Sequence, residues 1–471
     1  MHARSIRQSG PLLKAMSFPV VVGLVLGACS SGSDGSDAAP EVSTTATTEV
    51  STTSTTAAPG IDEVLGGPGV DLPSKTITLG VLADLSGDFA SLTADVVDAH
   101  LVFWDEVNAA GGIEGWTIDV EVSDTRADVD RHREQYEAMR DEVLAISQST
   151  GSSANAGSLD SYIEDEMMVV PTSWISGWPF RSVDRGVMFE QNTNYCIEAM
   201  NVVGFASGMG AQSLAIVTLD DLYGRDAGSG AARAADFYDL DVVYDGTGAV
   251  VAADELTEVI GAIVESGADW TFLATSPSLS AQIIAGAVRF GYQGMFAGAV
   301  PSYDSRLLDS ASAELFGTRY YQSAYTVGWG EDSPGNTAMM SAMAAAFADR
   351  RPSDAFIIGW NAAIAMRSVL EAAIASGDLT RAGVVEAANS IDQISFGGTT
   401  PDQSYTGAPD EFVNRQSAIF KPSLEAYTAA GGIDQTLNQP GATTGSVLIQ
   451  DFAAGDAASV FRFSAPCYLA E

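Results

Sequence analysis

From Thr76 onward, short apolar runs alternate with stretches of helical periodicity, and this alternation constrains the fold more than any other feature of the chain. Ile77–Leu82, Trp116–Val122, Val143–Ser147, Met167–Val170, Ser213–Thr218, Trp270–Ala274 and Met295–Ala297 read as strands. Leu92–Asn108, Val129–Arg140, Ala154–Glu166, Tyr195–Gly208, Glu255–Glu265 and Ala281–Phe290 read as helices. Strands and helices in this order build parallel sheets from βα units. There are too many units for one compact sheet, so the expected fold class is α/β with two doubly wound, Rossmann-like lobes. The helix at Leu92–Asn108 is apolar around most of its circumference, which requires cover on more than one side. His100 within it reads as a satisfied core histidine.

Composition narrows the chemistry. The chain has 22 Lys plus Arg against 61 Asp plus Glu, a net charge of −39. Such a charge repels phosphate backbones, so a nucleic-acid partner is excluded. Of the three histidines, His2 precedes any core, which leaves His100 and His132 for a zinc site or a Ser-His-Asp triad. Phosphate-loop, nucleophile-elbow, dinucleotide-fingerprint and Cys-x-x-Cys motifs are all missing. Ser152, the best candidate nucleophile, has no base in the loops around it. The reading is a binding protein and not an enzyme, with no metal and no cofactor.

The N-terminus reads as an address. Arg4, Arg7 and Lys14 precede an apolar run near Phe18–Leu26 that is too short to span a bilayer, and Leu26–Cys29 follows. A small-residue site ending in Cys resembles the lipobox of bacterial lipoproteins. The resemblance implies a signal peptide over 1–28, cleavage before Cys29 and lipid on its sulfur. The chain is then exported and anchored to the outer face of the cytoplasmic membrane by that lipid. The alternative is a free Cys in a leader cleaved elsewhere. No later stretch reads as a membrane span. Between Ser30 and Gly60, 15 of 31 residues are Ser or Thr and none is aromatic. Such a segment cannot bury enough apolar surface to offset its ordering entropy, so 29–74 reads as a disordered tether. Its reach is about 30 Å. Lipidation of Cys29 leaves Cys196 and Cys467 as an even pair in an exported chain. A disulfide is the favoured reading and two unrelated buried thiols the other.

Ligands of doubly wound sheets bind beyond the carboxyl ends of the strands. The segments leaving those ends are Asp84–Phe89, Gln148–Ser153, Pro171–Trp178, Asp220–Gly224, Thr275–Ser278 and Gly298–Tyr303. Hydroxyls, helix N-terminal amides and aromatics recur in them, whereas cations and His do not. That chemistry holds a small molecule by hydrogen bonds and stacking, and a helix start at Ser152–Ser153 suits a carboxylate. Ser86 and Ser276 belong to this set.

Ile77–Val81, Leu85–Gly87, Asn108–Ile113 and Val120–Asp124 together resemble the opening of type I periplasmic binding proteins that serve branched-chain amino acid ABC importers. Ser152–Ser153, Tyr162, Pro171–Ser173 and Tyr223–Gly224 follow in order and spacing. The resemblance covers roughly Lys75 to Gln450. It implies two lobes, 75–190 plus 328–396 and 191–327 plus 397–471, joined by hinge crossovers near Glu190–Asn194, Tyr325–Trp329 and Phe396–Gly398. It places a ligand carboxylate on Ser152, Ser153, Thr172 and Ser173, with Tyr223 opposite in the second lobe. Where amino-acid binders carry an acid for the ammonium, this sequence has Val300; Asp84, Asp221 or Asp304 compensates only by pointing inward. The implied ligand is an amino acid or a related carboxylate or amide with an apolar or aromatic body stacked on Trp174, Phe89 or Tyr303. Trp178 and Trp360 rank second, and Trp329 reads as hinge packing. The implied partners are ABC permease and ATPase subunits, with the chain acting as a monomer. The other functional reading is a ligand-sensing receptor of the same fold coupled to a signalling protein.

Overall fold

The computed structural model describes residues 64–250 and 256–469. The expected signal peptide, the lipidated Cys29 and the tether up to residue 63 lie outside the described residues. The first lobe is built on four parallel strands: β1 (Thr76–Ala83), β2 (Thr117–Asp124), β3 (Ala145–Thr150) and β4 (Val169–Thr172). They run side by side in the order β2-β1-β3-β4. The second lobe repeats that order with β5 (Ser213–Leu219), β6 (Asp241–Val250), β7 (Trp270–Ala274), β8 (Met295–Gly298) and β9 (Tyr320–Ala324). These lie as β6-β5-β7-β8-β9, and β10 (Ser417–Pro422) and β11 (Ser446–Ala453) add antiparallel strands beyond β9. In each sheet the chain reverses its direction of travel between the first and third strands. That is the switch point at which parallel sheets open a crevice.

Helices cover the faces: α1 (Ala90–Ala109), α2 (Val129–Met139) and α3 (Ser152–Glu164) in the first lobe. In the second lobe α4 (Tyr195–Gly208), α5 (Leu222–Phe237), α6 (Leu256–Ser266) and α7 (Pro277–Arg289) do the same. The chain then returns to the first lobe for α8 (Pro334–Ala346), α9 (Ala355–Ser376) and α10 (Arg381–Asn389). By length and composition α9 could cross a membrane, contrary to the expectation that no later stretch could. It is instead a core helix, with Phe356, Ile357, Met366, Val369 and Leu370 fully buried. The apolar circumference of α1 is explained by this neighbour. Phe103 meets Trp360 edge to face at 4.9 Å, and a Cβ on Gly359 would lie 1.9 Å from the Val96 carbonyl oxygen. His100 is fully buried and bonded to Ser147 and Trp104. Burial lowers its pKa to about 4, so it stays neutral.

Two sequence expectations need correction. Residues 64–74 are not tether: Leu65–Gly66 pairs with Asp378–Leu379, and Val70–Asp71 pairs with Thr76–Ile77. The Ser/Thr-rich composition ends before this point, and Val64 and Val70 have apolar surface to place on the lobe. The tail after Thr428 is more than an elaboration, because β11 completes the second sheet. Sequence periodicity also missed α5, whose Gly- and Ala-rich surface dilutes any apolar stripe.

The lobes are joined by three crossovers bonded to one another. Asn192 N–H donates to Gln403 Oε1 (2.8 Å), the Tyr405 hydroxyl donates to the Glu190 carbonyl (2.9 Å), and Val327 N–H donates to the Thr399 carbonyl (2.8 Å). The third crossover is longer than the stretch near Phe396–Gly398, because Gln393–Ile394 pairs with Gln403–Ser404 before the chain reaches β10. On the opposite side an ionic clasp holds the lobes together. Asp95 of α1, fully buried, pairs with Arg306 of the second lobe at 2.6 Å and with Arg350 of its own lobe. Arg351 reaches across to Asp309 and Tyr427. A disulfide joins Cys196 in α4 to Cys467, with Cα atoms 6.3 Å apart, and ties the tail to the second lobe. The α1–α9 contact leaves no room for a methyl group, so Gly359→Ala should destabilise the protein by roughly 2 kcal/mol. A melting temperature matching the wild type would refute that close packing.

Candidate ligand cleft

The carboxyl ends of the two parallel sheets face each other across the hinge, and the loops leaving them line a cleft that, with the solvent space at its mouth, measures ≈ 560 Å³. On the first-lobe wall, β3 ends at Thr150, Gly151 turns the chain at φ 100°, and α3 begins at Ser152 without a side-chain cap. The first amides of α3 are therefore free to receive an acceptor, and the helix dipole favours a negative one. Around that helix start lie four buried polar atoms with no hydrogen-bond partner: Thr150 Oγ1, Thr172 Oγ1, Trp174 Nε1 and Tyr325 OH. Buried polar atoms are rarely left unpaired, so a group of them on one cavity marks where a ligand supplies the partners.

The remaining surface is aromatic and aliphatic. Trp174 packs on Tyr325 (4.7 Å between centroids) and on Tyr195 (6.0 Å), Tyr195 on Tyr223 (4.5 Å), and Tyr223 meets Phe89 at 6.4 Å. Tyr223 is aimed here because α5 starts hard against the end of β5. A Cβ on Gly224 would lie 2.0 Å from the Leu219 carbonyl oxygen, so only glycine fits behind the tyrosine. The Tyr223 hydroxyl is 3.2 Å from Ser302 Oγ. Leu92, Val300 and Ile358 close one side of the cleft and also wall a second chamber of ≈ 600 Å³. That chamber runs past Tyr303, Ala324, Val327 and Phe420.

Among the described residues no Lys, Arg or His lines either chamber, whereas Asp304 and Asp354 line the second. Asp221 does line the cleft. It caps α5 through the Gly224 amide (2.7 Å), and burial pushes its pKa up to about 6. Behind Val300 lies Glu198, fully buried on α4, with Oε1 accepting the Val300 amide at 2.6 Å and Oε2 unpartnered. Burial raises its pKa to about 8, an effect that the Val300 amide partly offsets.

The residues expected to form the site divide into two groups. Phe89, Ser152, Thr172, Trp174 and Tyr223 line the cleft, and Tyr303 lines the second chamber. Ser86 is spent on Asp124 (2.7 Å), Ser173 on Ser152 (2.9 Å), and Ser276 on Ser278 (3.2 Å). Ser153 Oγ accepts the Leu222 amide across the lobes (3.2 Å) and so joins the lobes instead of facing the cavity. These four side chains point into loop and lobe contacts, where a short hydroxyl finds a carboxylate, a backbone amide or another hydroxyl within reach. Asp84 is held by the Gly87 and Phe89 amides, and Asp304 by Arg306. Trp329 packs on Phe356 beside the second crossover. Thr150, Tyr195 and Tyr325 were missed, although Thr150 precedes the Ser152 turn and Tyr325 sits in an expected crossover.

Two Rossmann-like lobes meeting at a cleft of free donors and apolar walls define a solute-binding protein, a class that binds without catalysing a reaction. The chain belongs to the periplasmic binding protein family, which it matches over residues 76–423. No curated protein is significantly similar to it in sequence. Among solved structures it is similar to a fatty acid ABC transporter substrate-binding protein from Thermomonospora curvata, at 23% identity and TM-score 0.75, covering 85% of this chain and 97% of that one. It is also similar to a branched-chain amino acid ABC transporter protein from Thermus thermophilus with bound valine (16%, TM-score 0.66, 84% and 98% covered). A branched-chain amino acid transporter substrate-binding protein from Streptococcus pneumoniae in complex with isoleucine matches at 15% and TM-score 0.61, with 80% and 100% covered.

The raised pKa of Glu198 makes stability pH-dependent with a definite sign. A carboxyl whose folded pKa lies above its unfolded value binds more protons when folded. Its contribution is complete below the unfolded value of about 4 and is lost as pH rises through about 8. Glu198→Gln should therefore lose several degrees less in melting temperature than the wild type between about pH 5 and about pH 9. Parallel melting curves would show that Glu198 is not the group responsible.

Proposed function

We propose that this chain is the substrate-binding protein of an ABC importer, held outside the cytoplasmic membrane by lipid on Cys29. Its ligand on this reading is a monocarboxylate with an extended apolar body, of the fatty-acid or aryl-alkanoate kind. The observation that carries the ligand reading is the pairing of unpartnered donors at the start of α3 with two adjoining chambers that no cation lines and whose exposed surface is mostly apolar. The carboxylate would take the α3 amides and the Thr150, Thr172 and Trp174 donors, and the chain would run past Leu92, Val300 and Ile358. A leucine-sized solute would leave the second chamber empty. The similarity to a fatty acid binder supports the same reading. Capture by lobe closure and delivery to permease subunits follow from the hinged architecture.

A second reading is favoured by Asp221, which lines the cleft and could receive the ammonium of a branched-chain or aromatic amino acid. Calorimetry with octanoate, phenylacetate, leucine and phenylalanine separates the two. The proposal expects heats from octanoate or phenylacetate, lost by about tenfold or more in Thr172→Val because a donor to a charged ligand is removed. Affinity should rise as pH falls through about 6, where Asp221 takes up a proton and stops repelling the carboxylate. Binding of leucine or phenylalanine alone, weakening as pH falls, would move the assignment to the amino-acid reading. The anchor has its own test: Cys29→Ser should release the protein from the membrane fraction, and retention there would rule out lipid at this site.

A further inference from the structure

On the back of the hinge, away from the ligand cleft, a second pocket opens to ≈ 790 Å³. It shares no lining residue with the two cleft chambers. Five of its fourteen lining residues are aromatic: Trp178 and Phe180 from the loop after β4, Phe189 from the start of the first crossover, and Tyr405 and Phe412 from the third; Arg181 and Asn389 are among the others. Phe189 and Tyr405 are stacked at 4.5 Å, and the Trp178 indole is fixed by its N–H bond to the Ser173 carbonyl at 3.0 Å. Into this aromatic enclosure comes Glu190, which is only 6% exposed. Its backbone carbonyl accepts the Tyr405 hydroxyl, but its carboxylate has no hydrogen-bond donor and no ion-pair partner within the described residues.

A carboxylate in such a place is costly unless something charged joins it. The nearest charges do not help. Burial, and after it the negative charges of Asp184 and Asp226, push its pKa well above the usual carboxylate range. Arg181 also lines the pocket, but its guanidinium is well exposed and lies 3.7 Å from Asp184. Several aromatic faces around one unpaired carboxylate are the elements by which proteins bind organic ammonium groups: the rings attract the cation and its methyl or methylene shell, and the carboxylate supplies counter-charge. A cation would stabilise the charged form of this carboxyl, whereas a neutral or anionic ligand would leave it protonated.

We propose that this hinge pocket is a binding site for an organic cation, a quaternary or alkyl ammonium, with Glu190 as counter-ion and Trp178, Phe180, Phe189, Tyr405 and Phe412 as its walls. The site is separate from the cleft and does not depend on what the cleft binds.

The test is calorimetry on the full chain with choline chloride. The controls are sodium chloride and 3,3-dimethylbutanol, which has the same shape as choline without its charge. Choline should bind, and the neutral analogue should bind at least about tenfold more weakly. Glu190→Gln should weaken choline by about tenfold or more. Phe412→Ala, at the rim and partly exposed, should weaken it as well, with the fold of both variants checked by circular dichroism melting. Trp174→Ala, in the cleft, should leave choline unaffected. The proposal fails if the wild type does not bind choline or binds the uncharged analogue equally well. It also fails if choline binding is lost in Trp174→Ala but kept in Glu190→Gln and Phe412→Ala.

Discussion

The carboxylate of Asp95 is wholly buried, and one of its two guanidinium partners comes from the other lobe. A buried charge is tolerated only when paired, so full satisfaction of Asp95 requires the lobes to be closed. The hinge crossovers on the far side are bonded to each other and hold the two sheets with their carboxyl ends face to face. Between the clasp and the hinge, the cleft is the space left over. Its dimensions are set by these two lines of contact and less by the residues that line it.

That arrangement explains why the binding surface can work without cations. In a cleft walled by Leu92, Val96, Val300 and Ile358, neutral donors act in a low effective dielectric and count for more than in water. The free amides of α3 and the unpartnered hydroxyl and indole groups around them are fixed by sheet and helix, so little entropy is lost when a ligand takes them. The acid missing at Val300 is not simply absent from the neighbourhood. Glu198 lies one layer behind, holding the Val300 amide from below. It supports the loop and leaves the surface above it apolar.

The tail after Thr428 matters for closure. Thr444 and Ser446 both bond Asp354 of the first lobe, at 3.1 and 2.6 Å, and Leu437 N–H donates to the Arg350 carbonyl at 2.7 Å. The segment is fastened to the second lobe by β11 and, further on, by the Cys196–Cys467 bridge. It therefore acts as a strap from one lobe to the other, laid beside the ionic clasp.

Much of this was legible in the sequence, for a local reason. Buried parallel strands such as Thr76–Ala83 must be continuous apolar runs, and βα alternation follows directly from that pattern. The Ser152 turn, Trp174 and Tyr223-Gly224 could be assigned to strand exits because chain position alone puts them there. Local pattern does not say where a side chain points, and so Ser153 and Ser173 looked like ligand groups although they bond within and between the lobes. Nor could it reveal that Asp221 faces the cleft, that Glu198 underlies Val300, or that Glu190 sits among five aromatic rings drawn from two crossovers and the loop after β4. Those juxtapositions join residues up to more than two hundred positions apart. The sequence by itself determined the elements and the donor chemistry of the loops, since both depend on neighbours along the chain. Tertiary structure decided which donors remain unpaired and which charges lack a partner, since those depend on what the folded lobes bring together.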